Sequence, residues 1–117
     1  MQSVSDQGDW MLALRPRYLS LTADRCSELE ALRAGLFDGI DPRVAVARIG
    51  GISHKIAGTA DSFGYCQLGE LARDIEDRCP VGVADKNHDI AKRTLAIVRP
   101  LLDRLIAELS NILTADA

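Results

Sequence analysis

The side chain best placed to do chemistry in this sequence is His54, and the sizes of its neighbours set it apart. It lies in the stretch GGISHKIAGTADSFG, Gly50 to Gly64, which holds four glycines. The stretch still reads as helix. Asp41-Pro42 is a start signal, since Asp41 can cap and Pro42 fits the first helical position, where its missing N–H costs nothing. The predicted helix runs to about Ser62 or Phe63, and Gly64 supplies a left-handed terminator. At about 100° per residue, Ala45, Ile49, Ile52, Ile56 and Phe63 gather on one side as a core stripe, and His54 points the other way. Its outer-face neighbours are Ala47, Gly50, Gly51, Ala57 and Gly58, and every one is small. An exposed mid-helix glycine costs about 1 kcal/mol against alanine, so three cost ~3 kcal/mol. That is a sizeable part of a domain's stability. The patch is explicable if a bulky partner must come close to the ring.

Neutral imidazole offers a ring-nitrogen lone pair and can act as a nucleophile. A catalytic triad is disfavoured, because no serine or cysteine has an obvious basic partner. A pocketed general base is disfavoured too, because the site is expected to be convex. A histidine on a cleared convex face suits reaction inside another macromolecule's cleft. Phosphoryl transfer fits, since an in-line reaction needs close approach of the acceptor nitrogen to phosphorus. Asp61, seven residues on, shares the face, either to meet a partner or to keep the face wet. Lys55 lies about 100° round the helix. His88, beside Asp89, reads as a surface or cap residue. Cys26, Cys66 and Cys79 are odd in number and lack CxxC spacing, so they read as reduced thiols packed as small apolar residues. Neither histidine has the spacing to complete a metal site with them, so no metal is expected.

The elements that must carry His54 are helical throughout. Trp10 to Phe37 has a helical pattern, with Leu29, Leu32 and Leu36 on one stripe that Leu19, Thr22 and Cys26 extend backwards. Pro16 is expected to cut this stretch into a short leading helix and a longer second one. Trp10 and Met11 are expected to cover the end of the bundle. Cys66 to Arg78 forms a further helix with Leu68, Leu71, Ala72, Ile75 and Cys79 on one face, stopped by Pro80. After the loop PVGVADK, a last helix spans about Asn87 to Leu113, with Val98, Leu101, Leu102, Leu105, Leu109, Ile112 and Leu113 in its stripe and Pro100 as an expected kink. No segment alternates with period 2, and aromatics at 4% are scarce for a β-sandwich or barrel. The expected fold is all-α, an antiparallel up-down four-helix bundle with a short additional N-terminal helix. It fills residues 1–117 as a single domain, with about residues 1–8 flexible. The 117 residues suffice for one core, and the composition, 47% hydrophobic and 26% charged, is that of a globular chain. A net charge of −3 argues against nucleic acid as a partner. No apolar run approaches the ~20 residues that span a bilayer, and the N-terminus has no secretory pattern, so a cytoplasmic protein is expected.

The segment HKIAGTADSFG, His54 to Gly64, resembles the signature of the histidine-containing phosphotransfer (HPt) domain family. The match rests on His54, Ile56, Gly58, Thr59 and the Phe63-Gly64 pair. LGELARDIED, Leu68 to Asp77, is similar to the family's next helix. The resemblance implies that His54 accepts a phosphoryl group from the phospho-aspartate of a response-regulator receiver domain and passes it on in a phosphorelay. It implies no kinase activity and no cofactor of the chain's own, with Mg2+ on the partner receiver. Gly58 would leave room for the receiver's loops, and Lys55 could attract the phosphoryl group. Many members carry a basic residue three after the histidine, where this chain has Ala57, and Lys55 also reads as a solvated flank lysine. A hybrid histidine kinase is a further possible partner, no membrane partner is expected, and a monomer is the working expectation. The alternatives are a receiver-binding adaptor that carries no phosphate, the phosphoacceptor domain of a chemotaxis-type kinase, and a bundle without chemistry.

Overall fold

The computed structural model describes residues 2–80, 82 and 86–115, with side chains described from Trp10 onwards. Four helices follow one another: α1 (Gln2–Phe37), α2 (Pro42–Ala60), α3 (Cys66–Arg78) and α4 (His88–Ala115). Together they form an all-helical bundle with no strand among the described residues. Sequence signals account for most of the boundaries. Gly39 ends the α1 turn at φ 86°, and the Ile40 N–H closes it on the Gly35 carbonyl at 3.0 Å. Asp41 caps α2 by accepting from the Arg43 backbone N–H at 2.9 Å, with Pro42 in the first turn. The Arg43 side chain also donates to this carboxylate, and these bonds hold it below the usual aspartate range. The Asn87 side chain caps α4, accepting from the N–H groups of Asp89 and Ile90.

α2 is the central helix, packed on all three others and most extensively on α3. Ala45, Ile49, Ile52 and Ile56 face the core from α2, and Leu68, Ala72 and Ile75 from α3. α4 contributes Val98, Leu102, Leu105 and Leu109, and α1 contributes Leu29 and Leu32. This is the interior that the apolar stripes predict.

Two boundaries differ from the sequence reading. Pro16 does not divide α1, so there is no separate short N-terminal helix; the leading stretch and the second helix are one element of 36 residues. The proline is exposed, and the helix is held on both sides of it by aromatic rings. Trp10 stacks on Phe63 with centroids 5.9 Å apart, and Tyr18 stacks on the other side of the proline against Phe63 at 4.2 Å and Tyr65 at 6.0 Å. Packing at both flanks outweighs the lost backbone bond. α2 ends at Ala60, and Asp61–Phe63 tighten into one 3-10 turn before Gly64 at φ 86°. That turn lifts Phe63 out of the core stripe into this aromatic stack, where it is half-buried.

The pairings Arg33–Asp103 and Cys26–Ser110 set α1 antiparallel to α4. The leading part of α1 therefore runs past the end of α4 and rests on the α2–α3 turn. Cys26 and Cys79 are buried as expected, but Cys66, at the start of α3, is exposed.

Candidate functional site

The outer face of α2 is asymmetric, and α3 makes it so. With His54 at zero, Gly50, Ala57 and Ser53 fall on one flank at about −40°, −60° and −100°. All three are buried beside the neighbouring helices. Gly51, Gly58 and Lys55 fall on the other flank, at about 60°, 40° and 100°, and are exposed.

The five-residue clearing around His54 is thus not uniform. Gly51 and Gly58 open onto free space, with nothing within 4 Å of where a Cβ would stand. Gly50 has another role. A Cβ there would lie 3.0 Å from Cys79 Cβ and 3.4 Å from the Cys79 carbonyl oxygen, so this glycine lets the end of α3 pack closely on α2. Ala57 is 8% exposed and belongs to the core. Gly50 and Ala57 thus pack against the neighbouring helices rather than standing open as Gly51 and Gly58 do, although Gly50 still borders the groove beside His54. Burial pushes the Cys79 thiol up to about 11.

His54 stands at the edge of the α2–α3 seam with 73% of its side chain exposed. Its Nδ1 lies 2.5 Å from Glu76 Oε2 on the last turn of α3. An ionised carboxylate only accepts hydrogen bonds, so Nδ1 carries the proton of the neutral ring and Nε2 keeps the lone pair. Sequence reading missed Glu76 because it lies 22 residues away on another helix. The only signal was its place in the acid-rich end of LGELARDIED, beside the inward residues Ala72 and Ile75.

The site is also less convex than the sequence suggests. An open groove of about 690 Å³ runs between α2 and α3 beside His54. Gly50, Gly51, Cys79 and Pro80 line it, with Glu76 and Asp77 on the α3 side.

The remaining expected residues lie at varied distances from this centre. Lys55 is exposed on the far flank, and its carbonyl accepts from the Thr59 hydroxyl and from Arg25 of α1. Arg25 also donates to Thr59 Oγ1 at 3.2 Å, which ties that side of α2 to α1. Asp61 is exposed and is paired with Arg73 at 3.1 Å. A Cβ at Gly69 would come within 2.5 Å of Asp61 Oδ1, so Gly69 makes the room for this carboxylate. His88 is exposed at the first turn of α4, as expected. No group of three or more metal-binding side chains gathers among the described residues.

The Hpt domain family model matches residues 17–114. The chain belongs to the Hpt domain family. This Hpt domain therefore has a phosphotransfer role in two-component signalling, the work of a carrier between kinase and response-regulator components. The match begins just after Pro16, so the part of α1 that carries Trp10 lies outside it. No curated protein and no solved structure matches the chain. No helix among the described residues is long and apolar enough to cross a membrane.

Proposed function

We propose that His54 is the phosphoacceptor of this Hpt domain, taking a phosphoryl group from a receiver's phospho-aspartate and passing it to a second receiver. The observation that carries this reading is the bond from Nδ1 to the Glu76 carboxylate in an otherwise exposed ring. That bond supports Nε2 as the reacting atom. Nε2 attacks phosphorus in line, a new N–P bond forms, and the bond from phosphorus to the aspartyl oxygen breaks. The aspartate leaves as a carboxylate with the bonding electron pair. The ring, with phosphoryl on Nε2 and its proton still on Nδ1, becomes cationic. Glu76 faces that charge and offsets it. Attack by a second receiver's aspartate reverses these changes and returns neutral imidazole.

The chain supplies the nucleophile, its tautomer and the access, while Mg2+ and the acidic pocket belong to the receiver. Gly51 and Gly58 leave the free side of the ring clear for the receiver's loops. Lys55 is the nearest exposed cation in sequence and attracts the phosphoryl group from that flank.

The test is transfer of label from purified phospho-receivers to wild type and to His54→Gln. Label on wild type alone, stable to base and lost in acid, is the expected result. Receivers that bind His54→Gln and the wild type equally but never donate would replace this reading with a binding-only adaptor. Label that arrives directly from an ATP-binding kinase domain, with no receiver, would make the chain a chemotaxis-type phosphoacceptor domain.

A further inference from the structure

The groove beside His54 has a chemical character of its own. Its floor is small and apolar, formed by Ala47, Gly50, Cys79 and Pro80, and its α3 rim carries Glu76 and Asp77. These two carboxylates differ in one respect. Glu76 is engaged by His54, whereas Asp77 is exposed and has no ion-pair partner among the described residues. Asp74, one turn back on the same helix, is matched with Arg78. No lysine or arginine among the described residues lines the groove, and Lys55 and Arg48 lie on the other flank of α2, at about 100° and 120° from His54. Glu76 and Asp77 also occupy the last turn of α3, where the helix dipole already presents negative charge. A cation brought there from outside would meet two carboxylates and the end of the dipole together.

We infer that this groove is a specificity contact for the receiver, seating a lysine or arginine that the receiver carries beside its phospho-aspartate. The inference rests on the function proposed above and adds the chemistry of the partner. The methylene stem of such a side chain fits the apolar floor, and its charged head reaches Asp77 at the rim. The engagement fixes how the receiver lies across α2 and α3, because a docking turned end for end would carry the same cation to the opposite flank of α2, which bears Lys55. Receivers with an acidic residue at the matching place are rejected by Asp77.

The experiment is calorimetric binding of a panel of purified receiver domains to wild type, Asp77→Asn, Asp77→Lys and Glu108→Lys. Glu108 is exposed on α4 outside the groove, so its variant controls for the same change in net charge. For receivers that bind, Asp77→Lys is expected to raise Kd about ten-fold or more, through like-charge repulsion at the rim. Asp77→Asn should raise it by roughly two- to five-fold, and Glu108→Lys should leave it near wild type. A Lys→Glu or Arg→Glu change on the receiver should restore binding to Asp77→Lys. Equal affinities for wild type and Asp77→Lys, or equal losses in Asp77→Lys and Glu108→Lys, would overturn the inference. Binding that depends on Asp77 while His54 never takes label would instead retain the groove and refute the phosphoacceptor. A panel in which nothing binds the wild type would refute both.

Discussion

Three glycines on one helix should respond to the same substitution in opposite ways. At Gly51 and Gly58 an added methyl meets nothing within 4 Å. Alanine there removes the backbone entropy cost of glycine, a stabilisation of about 0.5–1 kcal/mol at each site. For a chain of this length that raises the melting midpoint by about 2–4 °C. At Gly50 the same gain is opposed. The new Cβ would stand 3.0 Å from Cys79 Cβ, an atom bonded directly to the backbone that no rotamer change can move. The Cys79 carbonyl closes the second side at 3.4 Å. Relief requires the end of α3 to shift away from α2, and overpacking of this kind costs about 1–3 kcal/mol. The net change for Gly50→Ala is a loss of about 1 kcal/mol, or about 4 °C. Urea unfolding followed by circular dichroism, with slopes compared as well as midpoints, measures all three. A Gly50→Ala midpoint at or above wild type would refute the packing account of that glycine. Gly58→Arg extends the contrast to function. It should leave the fold intact and yet block phosphoryl transfer, and unchanged transfer in that variant would show that clearance is not what the glycine provides.

Glu76→Ala removes the partner of Nδ1 and the charge that would face His54 in the proposed phosphorylated state. Because the pair is largely solvent-exposed, the transfer rate should fall by about ten-fold rather than vanish. Glu76→Gln, which keeps an acceptor but not the charge, should fall between Ala and wild type. Both are read in single-turnover transfer from a labelled receiver. The thiols should react in a fixed order. Cys66 is exposed and should be alkylated first at pH 8 in the native protein. Cys79, pushed up to about 11 by burial, holds almost no thiolate there and should react only on unfolding or as the pH approaches that value. Mass spectrometry of the tryptic peptides distinguishes the two.

The sequence carried the helices because their apolar stripes, caps and stop signals are local. Asp41-Pro42, Gly64 and Pro80 mark their boundaries without reference to the rest of the chain. His54 was legible for the same reason, since a helix wheel finds an isolated imidazole opposite a core stripe. The wheel has no knowledge of which side a third helix will cover. It therefore grouped Gly50 and Ala57 with Gly51 and Gly58, although α3 buries the first two and leaves the others open. Glu76 was hidden by the same limitation, because its contact with His54 exists only once α2 and α3 are paired. Pro16 was misjudged because local propensity counts the lost hydrogen bond and omits the rings that hold the helix on either side.

Those rings have a practical consequence. Trp10 is the only tryptophan in the chain, and it is half-exposed on Phe63 at the outer limit of the stack. Its emission therefore reports one event, the seating of the first part of α1 on the α2–α3 turn. The far-ultraviolet dichroism of the same sample averages over every helix. If the two signals change together on heating, the leading segment melts with the bundle as one cooperative unit. If the emission changes first, that segment lifts away while the core stays folded, as a separate low-stability unit of the molecule. The native chain thus carries a built-in optical reporter at the end of the molecule away from the groove beside His54, with no label needed to read it.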